Sequence, residues 1–176
     1  MIETARLILR VPTPADRAPL HAMWADPAVM ADLGPIKDGA ESDATLARHD
    51  SYRDEGLGFR NVLRKADGAV IGFCGLKRGN AGLPIAGEVE AGWLLASPYW
   101  GQGYAREAMV AALAWGWEHT DAPRIVAITA ERNARSQALM VRLGMLRVAG
   151  GDFDHPRFEV GDPLRSTVTY AIGRPR

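Results

Sequence analysis

The chain has 176 residues, 47% hydrophobic and 24% charged, with 21 basic and 21 acidic side chains that cancel. That length suits one domain with a proper core, and the balanced charge gives no global field for nucleic acid or an anionic membrane. The lone cysteine, Cys74, excludes an intrachain disulfide or a cysteine-cluster metal site and reads as a core filler. No signal-peptide pattern opens the sequence and no 18-residue apolar run crosses it, so a cytoplasmic protein is the expectation.

Residues 5–11 alternate as a short strand that ends at Pro12. Thr13 is an N-cap candidate for a helix from Pro14 to about Trp24. Residues 30–39 are loop-like, and 43–54 form a helix with a polar face. Strands at 58–64 and 70–77 flank Lys65-Ala66-Asp67-Gly68, whose Asp-Gly favours a hairpin turn. After a Gly- and Pro-rich turn at 79–86, residues 88–95 read as a buried strand and 105–119 as an Ala-rich helix. A strand at 124–130 and a helix at 133–143 follow, with Gly144 in the C′ place. Strands at 145–148 and 166–172 close the chain around a loop at 149–163, long enough to suggest function or mobility. No repeat or linker divides the sequence. The order predicts a single α/β domain whose sheet is of mixed direction, with helices on its faces.

The most informative stretch is Tyr99-Trp100-Gly101-Gln102-Gly103-Tyr104-Ala105, between strand 88–95 and helix 105–119. A strand that enters a helix through two glycines leaves bare N–H groups at a positive helix terminus, which suits a phosphate or pyrophosphate. A tight, well-packed connection is the plain alternative. A P-loop needs Lys and Ser/Thr after its last glycine, and Tyr104-Ala105-Arg106-Glu107 supplies neither. A Rossmann fingerprint would put its third glycine at Arg106 and lie near the first strand, so that reading fails too.

The element order and its motifs resemble the GNAT superfamily of acetyl-CoA-dependent N-acetyltransferases, and best its RimJ/RimL-like branch. The likeness spans Glu3-Thr4-Ala5-Arg6-Leu7-Ile8-Leu9-Arg10, Ile71-Gly72-Phe73-Cys74-Gly75-Leu76, residues 99–108, Asn133-Ala134-Arg135-Ser136 and Leu143-Gly144-Met145. It implies a mixed, mostly antiparallel sheet of about seven strands, helices on both faces, and a splay between the fourth and fifth strands (88–95 and 124–130). It also implies acetyl-CoA as cosubstrate, with its pyrophosphate held by backbone N–H groups of Gly101, Gln102, Gly103, Tyr104 and Ala105 and by the Gln102 side chain. Where the family often has Arg or Gln, this chain has Trp100. The pantetheine arm would pair with the backbone of Leu94, Leu95 and Ala96 at an otherwise unpaired sheet edge. The side chains of those three residues also read as core.

Catalytic roles follow from the same resemblance. Asn133 would bond the pantetheine or bound water, and Ser136 would donate to the departing thiolate; the plain account makes Asn133 an N-cap and Ser136 a solvated first-turn residue. Many members use a tyrosine where this chain has Met140, which cannot do that job. Leu95 N–H would serve the oxyanion. A neutral amine must attack: an α-amine of pKa about 7.7–8.0 needs roughly 1 kcal/mol to lose its proton near pH 7, a lysine nearer 4–5 kcal/mol. Glu90 in mid-strand is the first candidate base, against a carboxylate merely paired with an arginine on the sheet face. The loop cluster Asp152, Asp154 and His155 is the second, with Asp154 and His155 at the RimL-like base position, against a solvated loop. The expected partner is an amine, either a protein N-terminus or a small molecule, with no metal, no nucleic acid and no membrane, and a homodimer is left open. A catalytically weak acyl-CoA-binding or regulatory module is the alternative, motivated by the missing tyrosine.

Overall fold

The structure, a computed structural model, describes residues 1–175. Among these residues nine strands form one sheet: β1 (Ile2–Glu3), β2 (Leu7–Arg10), β3 (Arg60–Arg64), β4 (Val70–Arg78), β5 (Val89–Leu95), β6 (Arg124–Ala130), β7 (Leu146–Arg147), β8 (Phe153–Asp154) and β9 (Ser166–Gly173). Their order is β1-β2-β3-β4-β5-β6-β9-β7, with β8 also on β9. All neighbours are antiparallel except β5 and β6, which are parallel. The two strands beyond the expected seven are two-residue pairings, β1 ahead of β2 and β8 within the long loop. Neither carries enough alternation to be read from sequence.

Among the described residues, five helices cover the sheet: α1 (Arg17–Ala25), α2 (Pro27–Met30), α3 (Gly39–Asp50), α4 (Tyr104–His119) and α5 (Ala134–Arg142). On one face, Ala108, Met109 and Ala112 of α4 and Leu139 and Met140 of α5 pack on Leu9, Val62, Leu76, Val89 and Ile125. On the other, Leu20, Met23 and Trp24 of α1 with Val29 and Met30 of α2 pack on Phe73 and Leu94. Cys74 is fully buried, and burial pushes its thiol up to about 12, as a core filler should behave.

Two helix starts differ from expectation for local reasons. Helix α3 begins at Gly39 rather than 43, because Asp38 Oδ1 accepts from Glu41 N at 2.8 Å while Glu41 Oε2 accepts from Asp38 N at 3.0 Å. This reciprocal box satisfies two otherwise orphaned groups. Thr13 precedes a short 3-10 turn, Pro14–Asp16, and α1 starts after it. Asp16 is the organising group there: its carboxylate accepts from Thr13 N (2.6 Å) and Thr13 Oγ1 (2.7 Å) and pairs with Arg10 at 2.7 Å.

Burial alone would raise the Asp16 pKa, but Arg10 and the Thr13 donors outweigh it and bring it to about 2. Relative to an unfolded value of about 3.9, this depressed pKa adds stability above about pH 4 that is lost as pH falls toward 2. Asp16→Asn should therefore lower the melting temperature at pH 7 and flatten the acid limb between pH 4 and 2. Thermal melts across that range check it.

Candidate functional site

Strands β4 and β5 stay paired along the whole of β5, from Arg78↔Val89 to Gly72↔Leu95. Strands β5 and β6 are in register only at Val89↔Ile125 and Glu90↔Val126, although β5 runs on to Leu95 and β6 to Ala130. The sheet thus opens along one side of β5. Glu88 O accepts from Gly79 N (2.8 Å), and Ala96 N donates to Ile71 O (3.0 Å). Antiparallel alternation then turns the backbone groups of Glu88, Glu90, Gly92, Leu94 and Ala96 toward β4 and those of Ala91, Trp93 and Leu95 toward the gap. The expected edge partners are corrected accordingly. Leu95 faces the opening, Leu94 and Ala96 are committed to β4, and Trp93 takes their place.

The gap broadens into a cleft of about 430 Å³ walled by Ala28, Val29, Asp32 and Leu33 on one side and Asn133, Arg135, Ser136 and Leu139 on another. Trp93, Leu94 and Leu95 lie at its floor, and Trp100, Gly101, Gly103, Tyr104 and Ala105 at one end. Gly101 (φ +73°) and Gly103 (φ +80°) are both in the left-handed region, which explains glycine at each. Nothing lies within 4 Å of a Cβ built on Gly101, so that side of the loop is bare. The first α4 hydrogen bond is Glu107 N to Gly103 O at 3.1 Å, leaving the amides of Tyr104, Ala105 and Arg106 ahead of the intrahelical ladder.

Side chains around the loop hold it in shape. Glu107 accepts from Thr4 Oγ1 (2.6 Å), Arg6 N (2.8 Å) and Arg6 Nε (2.6 Å), and Arg6 Nη1 donates to Gln102 O at 3.1 Å. Burial raises the Glu107 pKa, but these donors outweigh it and hold the carboxyl below its usual range. The Gln102 side chain turns back onto the loop, with Nε2 donating to Pro98 O at 3.0 Å, so that donor is already engaged. Trp100 Nε1 donates to Leu95 O at 2.8 Å, and the Arg135 guanidinium lies 4.2 Å over the Trp100 ring. Arg106 and Arg142 line the same cleft, giving this end a positive character. In the sequence Arg6 belongs to the opening motif, and nothing there singles out Arg135, Arg142 or Asp32.

Asn133 and Ser136 both reach the cleft wall. Asn133 Oδ1 accepts from Ser136 N (3.1 Å) and Nδ2 donates to Thr129 Oγ1 (3.0 Å), so it is also the N-cap of α5. Met140 is buried. The candidate bases are elsewhere. Glu90 lies on the sheet face opposite α4, buried with Lys77 in an ion pair, and is not among the cleft-lining residues. Burial raises its pKa, with the Lys77 charge pulling the other way. Asp154 pairs with Arg165 at 3.0 Å and is well exposed. Asp152 pairs with Arg147 at 2.6 Å. Burial, then the Arg157 charge, lowers the His155 pKa; its Nδ1 accepts from Arg157 N (3.2 Å), which leaves the proton of the neutral ring on Nε2. The structure therefore brings Ser136, Asn133, Leu95 and the glycine loop together but leaves Glu90, Asp154 and His155 outside the cleft lining.

Residues 6–146 match the acetyltransferase (GNAT) domain family. The chain belongs to that family. It is 29% identical over 152 residues to an uncharacterized N-acetyltransferase p20 of Bacillus licheniformis, covering 82% of this chain and 84% of the relative. An acetyltransferase from Agrobacterium tumefaciens superposes with a TM-score of 0.78 at 27% identity, covering 97% of this chain and 92% of that one. RimL, a ribosomal L7/L12 alpha-N-protein acetyltransferase solved with coenzyme A, superposes with a TM-score of 0.74 at 18% identity, covering 97% and 95%. That last likeness concerns the fold. No helix among the described residues of this GNAT chain is long and apolar enough to cross a membrane.

The Glu90–Lys77 pair makes a structural demand of its own. Removing one member of a buried pair leaves an uncompensated charge and costs about 3–5 kcal/mol, whereas replacing both is close to neutral. Lys77→Met should destabilise by that amount in urea titration, and adding Glu90→Gln to it should restore most of the loss.

Proposed function

We propose that the chain is an N-acetyltransferase that moves an acetyl group from acetyl-CoA directly to a primary amine, with no metal and no covalent enzyme intermediate. The observation that carries the reading is the parting of β5 from β6 beside a positive-φ glycine loop at the start of α4. Bare amides and the positive helix end suit a diphosphate. One such contact contributes about 0.3–2 kcal/mol, so the amides of Gly101, Gly103, Tyr104, Ala105 and Arg106 act together, with the cleft arginines adding charge. The Trp93 and Leu95 backbones supply strand-like partners for an amide-bearing arm. Acetyl-CoA, when bound, supplies an activated thioester.

In this reading Leu95 N–H is the donor for the carbonyl oxygen that gains charge. The Ser136 hydroxyl gives a hydrogen bond or proton at the leaving sulfur, and Asn133 fixes the first turn of α5 from which Ser136 projects. Glu90 is engaged by Lys77 and His155 carries its proton on Nε2, so the reading assigns the ammonium proton to water in the open cleft. That suits an α-amine, which needs only about 1 kcal/mol to deprotonate near pH 7. An N-terminal α-amine is the acceptor this proton route favours, and a small amine is the second acceptor of the class, at a lysine-like cost of about 4–5 kcal/mol; both fit a RimJ/RimL-like, cytoplasmic enzyme.

The direct test is thiol release from acetyl-CoA with a panel of amines. Coenzyme binding without release across the panel would favour a binding module over an enzyme. Gly103→Asp should abolish coenzyme binding in calorimetry, while Gly103→Asn should retain a measurable part of it. Both side chains tolerate a left-handed backbone better than most, so the difference isolates the added negative charge. Equal binding by both would remove the loop assignment. Ser136→Ala should lower the single-turnover rate by about 10²- to 10⁴-fold and change coenzyme affinity little; an unchanged rate would end its proposed role.

A further inference from the structure

Among the residues that line the cleft there is one acid, Asp32, in the turn after α2. Its Oδ1 lies 3.0 Å from Arg132 Nε, and Arg132 stands between β6 and α5 next to Asn133. The pair therefore ties the α2 wall of the cleft to the α5 wall. Its members are unequal. The Asp32 side chain is 21% exposed and that of Arg132 is 51% exposed, so the carboxylate is built into the wall and the guanidinium reaches it from solvent. A pair with one partner so exposed adds little to stability and is readily exchanged for another cation.

The surroundings favour such an exchange. Ala28, Val29 and Leu33 lie on the same wall and lower the local dielectric around the carboxylate. Arg106, Arg135 and Arg142 line the cleft with the glycine loop and α5, so it is polarised between cations and a single carboxylate. The nitrogen that attacks a thioester must be neutral, so a carboxylate gains nothing by holding it in its reactive form. What Asp32 can hold is a second charged centre. Resting on the N-acetyltransferase reading above, we propose that Asp32 selects acceptors that carry a second ammonium beyond the reacting amine, and that Arg132 is the cation such an acceptor displaces.

The test is calorimetric titration of the coenzyme A-saturated protein with 1,4-diaminobutane and with butylamine, which differ by one ammonium. The diamine should bind about tenfold more tightly, the scale of one charge-assisted contact. Asp32→Asn should cancel that preference by weakening diamine binding about tenfold, with butylamine and coenzyme A affinities unchanged. Arg132→Gln should tighten diamine binding severalfold, and this variant keeps the test open should Asp32→Asn fold poorly. A wild-type protein without preference for the diamine, or an Asp32→Asn protein that keeps it, overturns the proposal. Turnover is not read in this titration. Diamine binding through Asp32 with no thiol release from acetyl-CoA would therefore sink the transferase reading and leave the cation site standing.

Discussion

The constraint on which the rest depends is the loss of pairing between β5 and β6 after Glu90 and Val126. A sheet normally satisfies every backbone donor and acceptor of its inner strands. Here the amide and carbonyl of Trp93 and the amide of Leu95 are turned into a gap by their alternation with β4. Such an opening survives only because its flanks are fixed independently. On one side the whole β4–β5 ladder persists to Leu95, and on the other the β6–β9 ladder runs from Arg124↔Gly173 to Ala130↔Thr167. Two half-sheets, joined at Val89↔Ile125 and Glu90↔Val126, leave a notch between them.

The glycine loop depends on the same arrangement. Strand β5 ends beside the gap, so the turn that leaves it delivers the α4 N-terminus to the gap's mouth. The turn is then locked from outside: Glu107 holds Thr4 and Arg6, and Arg6 holds the Gln102 carbonyl. Residues near the start of the chain thus shape an element a hundred positions later. Trp100 does the corresponding work from inside by donating to the Leu95 carbonyl, which consumes one lone pair at the floor of the cleft.

Much of this was legible from residue order. The Gly101–Gly103 spacing between an apolar strand and an Ala-rich helix points to the loop, and both glycines do adopt positive φ. The family resemblance placed the splay correctly. What escaped were features set by pairing across long sequence distances. Which backbone groups of 93–96 face the gap depends on the β4 register, and a one-residue difference in that register exchanges Leu94 for Trp93. Alternation gives Glu90 its face but not its neighbour, so it stands as a candidate base in the sequence although Lys77 meets it from the adjacent strand. Helix α3 starts ahead of its expected position, at a capping box whose spacing Asp38 and Glu41 do carry in the sequence. Asp32 had no signal at all, since only the fold brings it to Arg132.

Trp93 and Trp100 are two of the five tryptophans, and both border the cleft, the second with an arginine stacked on its ring. The protein consequently carries its own optical reporter. Whatever enters the notch must change the polarity around these indoles or lift the stacked guanidinium, so occupancy alters intrinsic emission and can be followed in real time without a label.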